Sequence, residues 1–139
     1  MYSFEYKKRV RYGETDPMGY LYYGYYANYY EIGRVEMLRA LGLTYKSLEA
    51  DYRIMMPVVA MQVRYLRPAR YDDLITICTT LRKLPTDYIT FHVELFNEQA
   101  QLINSATVRL CFVDMDSGKR IGPPEVLLQR LRPFFEDIH

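Results

Sequence analysis

Histidine is scarce in this chain of 139 residues: only His92 and His139 are present, beside only two cysteines, Cys78 and Cys111. A Ser-His-Asp or Cys-His triad would have to take its base from His92, which sits mid-strand in "ITFHVELF" between Phe91 and Val93. That setting suits a strand histidine better than a catalytic one. Both cysteines fall in strand-like stretches, outside any C-x-x-C or Cys/His cluster, and read as core thiols of a reducing compartment. An excess of one charge is lacking too. Eighteen Lys and Arg against 17 Asp and Glu leave a net charge of +1, which does not indicate a broad nucleic-acid surface. No apolar run approaches the roughly 18 residues of a membrane span. "MYSFEYKKRV" is interrupted by charge and does not read as a signal peptide, so a cytoplasmic location is the expectation. Metal-ligand spacing, a phosphate loop, a nucleotide fingerprint and a nucleophile elbow are all missing. The length suits one domain over residues 1–139.

Tyrosine is what the chain has in abundance. "ETDPMGYLYYGYYANYYE" (14–31) places seven tyrosines in the eleven positions from Tyr20 to Tyr30, just after Asp16. Around this run the order of elements is readable. Residues 2–12 alternate as a strand, and "GETDPMG" is a loop stiffened by Pro17. From about Tyr22 to Leu41 the apolar positions Tyr26, Tyr30, Met37 and Leu41 recur at helical spacing, and Gly42 stops the helix. A short helix near Thr44–Ala50 has Thr44 as its cap. Four strand-like runs follow, at 55–67, 71–83, 87–98 and 102–114; in the third, Ile89, Phe91, Val93 and Leu95 share one face. A C-terminal helix is expected over about 124–136. Short loops between successive strands mean an antiparallel meander. One long helix buries itself against such a sheet only if the sheet curls around it. The expectation is an α+β fold, a curled five-stranded antiparallel sheet filled by one helix, with open edges that favour pairing with a second copy.

Chemistry then falls to carboxylates and backbone dipoles. Asp16 lies in the loop that enters the long helix, where no packing demand explains a charge. An aspartate, ordinarily ionised at neutral pH, can act as nucleophile or as a base on water. Asp before Pro also opens turns, and a bracing role is the competing reading. Unpaired amides at a helix start can hold a developing oxyanion, and Gly24 would let a carbonyl approach them.

"RYGETDPMGYLYYGYYANYYEIGRVEMLRALG", with the later "VRYLRPARYDDLITI", resembles the 4-hydroxybenzoyl-CoA thioesterase family of hotdog-fold proteins, over about residues 5–115. The resemblance implies that Asp16 attacks the thioester carbonyl, as nucleophile or general base. It also implies that the carbonyl is polarised by the backbone amide seven residues on, at Tyr23. Many members carry His or Asn near the helix start, where this chain has Tyr22, Tyr23 and Tyr25. Glu31 matches a carboxylate position of the family and is the reserve catalytic candidate. Gly19, Tyr22, Gly24 and Tyr25 are candidate substrate-facing positions, while Tyr26, Tyr29 and Tyr30 suit core or interface. Coenzyme A carries phosphates, so cations should line the pocket mouth. The candidates are Arg67 with Arg70, Arg82 with Lys83, and Lys119 with Arg120. The expected activity is hydrolysis of an acyl-CoA by a homodimer or homotetramer, with no separate cofactor because CoA is part of the substrate. A thioesterase acting on acyl-carrier protein and a non-catalytic acyl-CoA-binding protein are the rivals. A hydratase fits less well, since its Asp/His pair has no counterpart near the helix start.

Overall fold

The computed structural model describes residues 1–135. Among them are seven strands and three α-helices: β1 (Tyr2–Arg9), α1 (Tyr26–Ala40), α2 (Tyr45–Tyr52), β2 (Ile54–Met55), β3 (Val58–Tyr65), β4 (Leu74–Leu81), β5 (Tyr88–Phe96), β6 (Leu102–Asp114), β7 (Arg120–Ile121) and α3 (Glu125–Leu131). The sheet is antiparallel, in the order β1-β4-β5-β6, with β3 on the other side of β6. The long strand β6 outruns its neighbours, and its far half is met by β2 and β7. Five strands thus form the expected sheet, and two strands of two residues extend it.

The period-two pattern of β5 holds in three dimensions. Ile89, Phe91, Val93 and Leu95 are buried, while Thr90, His92 and Glu94 face outward. The inner face meets α1, which packs against β1, β4 and β5 and fills the curl of the sheet. Tyr29, Tyr30, Met37 and Leu38 of α1 are fully buried there; burying each such side chain is worth roughly 1.5–3 kcal/mol. Helix and sheet approach closely at Gly33, where a Cβ would stand 2.3 Å from Thr79 Oγ1 and 2.7 Å from Ile77 Cγ2. This helix-filled, curled sheet is the hotdog arrangement.

Several boundaries differ from the sequence reading, each for a local reason. β1 stops at Arg9, because Val10 turns into the core and its amide bonds Asp73 O at 2.9 Å. The long helix starts four residues later than expected: Tyr23–Tyr25 form a 3-10 turn and the α-helical ladder opens at Tyr26. The expected strand 55–67 is broken into β2 and β3 at Met56 and Pro57, the proline having no amide to give to a ladder. Thr44 caps α2 as expected, its Oγ1 accepting the Ser47 amide at 2.9 Å, but the helix runs on to Tyr52. After α3 the chain tightens into a 3-10 turn at Arg132–Phe134, where Pro133 cannot continue an α-helical ladder. The expected helix end at 136 and His139 lie outside the described residues.

Candidate active site

Asp16 begins a tight turn that its own side chain closes. Its Oδ1 accepts the Met18 amide at 2.9 Å and the Tyr20 amide at 3.1 Å. The backbone repeats the closure, with Asp16 N donating to Tyr20 O at 2.8 Å and Gly19 N to Asp16 O at 2.9 Å. Gly19 sits at φ +79°, the left-handed conformation that glycine adopts without strain. The bracing reading of Asp16 is therefore met by one carboxylate oxygen. The other, Oδ2, bonds no group among the described residues and is open to a substrate or a water.

The turn is strapped to the segment between β3 and β4 as well as to itself. Leu21 N donates to Ala69 O at 2.8 Å and Tyr71 N to Gly19 O at 2.9 Å. A cavity of about 300 Å³ opens beside it, lined by Asp16, Tyr20, Leu21, Tyr23, Tyr26, Tyr65, Leu66, Arg67 and Pro68. Tyr26 and Tyr65, both in its lining, meet edge to face with ring centroids 5.2 Å apart. Burial pushes the Tyr26 hydroxyl above its ordinary value, a backbone hydrogen bond at Ala69 opposes this, and the charges of Tyr65 and Asp16 add to the rise. Behind this wall the Tyr30 hydroxyl donates to the buried Asn104 Oδ1.

Tyr23 opens the 3-10 turn that leads into α1, so its amide precedes the first intrahelical acceptor; the first bond of the turn runs from Tyr25 N to Tyr22 O at 2.9 Å. No other backbone acceptor among the described residues takes the Tyr23 amide. Gly24 follows, and a Cβ there would stand 2.9 Å from the Tyr22 ring. Asp16, with one carboxylate oxygen that bonds no group among the described residues, and Tyr23, at the start of the helix, thus line one cavity. A carboxylate beside a helix-start amide is a pairing that can act as base or nucleophile with an oxyanion donor.

The other candidates separate into groups. Arg67 lines the cavity, and Arg70 stands beside it with its guanidinium 5.6 Å from the Tyr20 ring centre. Tyr22 is exposed and lies against Tyr23, centroids 4.6 Å apart, with Tyr25 at 6.3 Å; neither Tyr22 nor Tyr25 lines the cavity. Glu31 is exposed on α1 and is not part of that wall. Arg82 and Lys83 lie past β4 at the other end of the sheet, in a basin of about 490 Å³ on its outer face that also holds Tyr88, His92 and Arg109. There Arg120 donates to the Tyr88 hydroxyl at 3.3 Å, next to the exposed Lys119. Burial and the Arg82 charge lower the His92 pKa, which favours the neutral ring. The basin is larger than the Asp16 cavity, but no carboxylate meets helix-start amides in it.

Glu14 is the residue that sequence reasoning missed. Its Oε1 accepts the Arg11 amide at 2.8 Å, Lys8 Nζ at 3.0 Å and the Tyr29 hydroxyl at 2.8 Å. Burial pushes its carboxyl up, but these hydrogen bonds and the Lys8 charge outweigh that and leave it below the usual range. One local signal was available: an acid three residues after Arg11 is the spacing of a capping side chain. Its bonds to Lys8 and Tyr29 are tertiary, and periodicity is silent on them.

Comparison with known proteins identifies the family to which this fold belongs. The sequence profile of the thioesterase-like superfamily matches residues 10–131. YbgC of Escherichia coli, an acyl-CoA thioester hydrolase, is 34% identical over 111 residues, 80% of this chain and 82% of YbgC. A 1,4-dihydroxy-2-naphthoyl-CoA hydrolase of Rippkaea orientalis is 28% identical over 130 residues, 92% of this chain and 94% of that protein. The crystal structure of a DHNA-CoA thioesterase from Staphylococcus aureus superposes with a TM-score of 0.85 at 26% identity, covering 99% of this chain and 98% of the other. With a profile match that takes in the Asp16 loop, α1 and every strand of the sheet after β1, the chain belongs to the thioesterase-like superfamily.

Proposed function

We propose that this protein hydrolyses the thioester of an acyl-CoA to the free acid and CoA, at the cavity bordered by Asp16 and the Tyr23 amide. The observation that carries the reading is their shared cavity: a carboxylate oxygen left open by its own turn, beside a main-chain donor left open by the start of a helix. The Tyr23 amide holds the carbonyl oxygen as it gains charge. Asp16 attacks the carbonyl carbon directly, expelling the CoA thiolate and forming a mixed anhydride that a water then hydrolyses to the free acid. Alternatively, it takes a proton from a water that attacks the carbonyl itself. The CoA thiolate leaves without a strong general acid, so the chemistry asks for neither an active-site histidine nor a cofactor. Glu31, exposed and off the cavity wall, has no place in this scheme. The tyrosine wall favours an aromatic or bulky acyl group.

Arg67 and Arg70 are the cations within reach of a CoA phosphate at this cavity. The group around Tyr88 is not. From the Tyr65–Asn104 pair to the Tyr88–Cys111 pair, seven residues of β6 span about 23 Å. A second copy shortens this separation. The outer edge of β3 has no strand beside it among the described residues, and Val58, Val59, Met61 and Tyr65 each expose 44% or more of their surface. An apolar open edge of this kind is a template for pairing. Antiparallel pairing of β3 with β3 of a second copy sets the Val58 end of one against the Tyr65 end of the other. The basic end of each copy then comes to the side of its partner's Asp16 cavity. The assembly is accordingly a homodimer, or a homotetramer built from two of them, acting in the cytoplasm with no nucleic-acid partner.

The test is thiol release by the wild-type protein from short-chain, long-chain and aromatic acyl-CoA thioesters, and from the same acyl groups on acyl-carrier protein. Turnover of the CoA esters, fastest for a bulky or aromatic acyl group, is expected. Turnover of the carrier-protein esters alone would move the substrate to that class. CoA binding with no turnover of any ester would make the protein a binding module.

A further inference from the structure

Glu14 lies two residues before Asp16 and touches four separate parts of the chain. Its side chain reaches Lys8 in β1, the Arg11 amide at the entry to the loop, and the Tyr29 hydroxyl one turn inside α1. Its main-chain carbonyl accepts the Tyr22 amide at 2.9 Å, and Tyr22 immediately precedes the oxyanion donor. Lys8 Nζ also stands 5.1 Å from the centre of the Tyr29 ring, so the cluster closes on itself. Only 18% of the Glu14 side chain is exposed, and 20% of Lys8. Burial and the Glu14 carboxylate both push the Tyr29 hydroxyl well above its ordinary value, which keeps it a donor.

We propose that Glu14 is a positioning residue for the hydrolysis, holding the Asp16 carboxylate and the Tyr23 amide at a fixed separation; this rests on the reading of the site given above. The two reacting groups come from different elements, one from a loop that follows β1 and one from the turn that opens α1. Asp16 is braced within its own turn, and that turn is strapped to residues 69–71. The join between the turn and α1 is made at Glu14: the side chain fixes the helix through Tyr29 and the carbonyl fixes the turn through Tyr22. Lys8 neutralises a carboxylate that is largely out of water, which lets one oxygen serve three donors. Releasing Glu14 lets the helix start move against the loop. A misplacement of about 1 Å between reacting groups is enough to cost on the order of 10²-fold in rate. Glu14 itself lines no part of the cavity and touches no reacting atom.

The experiment compares full-length wild type with Glu14→Ala, Glu14→Gln, Tyr29→Phe and Asp16→Asn, reading kcat, KM and Tm with the fastest acyl-CoA substrate. Glu14→Ala should lower kcat by about 10- to 100-fold while KM stays within about 2-fold. Glu14→Gln keeps an acceptor for Arg11 and Tyr29 and should recover part of that loss. Tyr29→Phe removes one hydroxyl and should lower kcat by a few-fold with little change in KM; it carries the test if Glu14→Ala does not fold. Wild-type kcat in folded Glu14 and Tyr29 variants, beside an inactive Asp16→Asn, would overturn the positioning role and leave the Asp16 reading standing. A loss that follows Tm and disappears when the assay is cooled would overturn it equally. Full turnover by Asp16→Asn would overturn both readings together.

Discussion

The two ends of the sheet are built from opposite materials. At the Tyr65 end, an acid, a ring of tyrosines and one lining cation surround a cavity of about 300 Å³. At the Tyr88 end, Arg109 and Arg120 approach one tyrosine ring at 5.1 Å and 4.9 Å, with Arg82 and Lys83 in the same basin. Under the proposed function the first end breaks the thioester, and the second offers cations of the kind that hold phosphate. Within one chain they are an entire strand apart, and under the proposed pairing of two copies the basic end of each would lie toward the Asp16 cavity of its partner.

The largest expected effect comes from separating the copies. Val59→Lys with Met61→Lys puts two charges on the open edge of β3 and should turn a dimer into a monomer at micromolar concentration, read by light scattering after size exclusion. A dimer that survives both lysines would place the contact elsewhere. Next, Arg67→Gln with Arg70→Gln should raise KM for acyl-CoA by about 10-fold with kcat little changed, since these cations bind without joining the reaction. Arg82→Gln with Lys83→Gln should raise KM by only about 3-fold, and this effect should vanish in the monomeric edge variant. An equal effect in monomer and dimer would break the idea that the basic end serves a partner. The smallest effect concerns acid stability. Glu14 is held below its free value of 4.5, so its contribution is full above that pH and fades as pH falls through its lowered value. Glu14→Gln should flatten the acid-side fall of Tm below about pH 4.5 by a few degrees at most.

Much of this arrangement was legible in the sequence because the relevant signals were local. The alternation of Ile89, Phe91, Val93 and Leu95 marks the inner face of β5, and Thr44 announces α2. Gly42 takes φ +84° just past α1, where its amide bonds Arg39 O at 2.9 Å, as a helix stop requires. Tyr26, Tyr29 and Tyr30 suit core or interface because a tyrosine ring can be buried while its hydroxyl finds a partner, and all three are buried in the chain itself. Asp16 stood out as a charge with no packing reason, in a loop entering a helix. The misses have tertiary causes. Helical spacing begins at Tyr22, but the Tyr22 amide is drawn to Glu14 O, and the chain reaches α1 through a tighter turn. Glu14 looks like one more loop acid until Lys8 and Tyr29 are folded onto it. The cations at residues 82, 83, 119 and 120 were grouped with Arg67 and Arg70 by chemistry alone, and only strand register shows that they belong to the other end.

The most direct test of the central claim is a single-turnover comparison of wild type and Asp16→Asn on the best acyl-CoA ester, with circular dichroism confirming that both are folded. Asparagine keeps the shape of the side chain and can still accept the Met18 and Tyr20 amides, so the turn survives while the charge is lost. The account predicts a loss of about 10²-fold or more in the chemical step with acyl-CoA binding retained. Equal rates in the two proteins would remove Asp16 from the reaction and contradict the account.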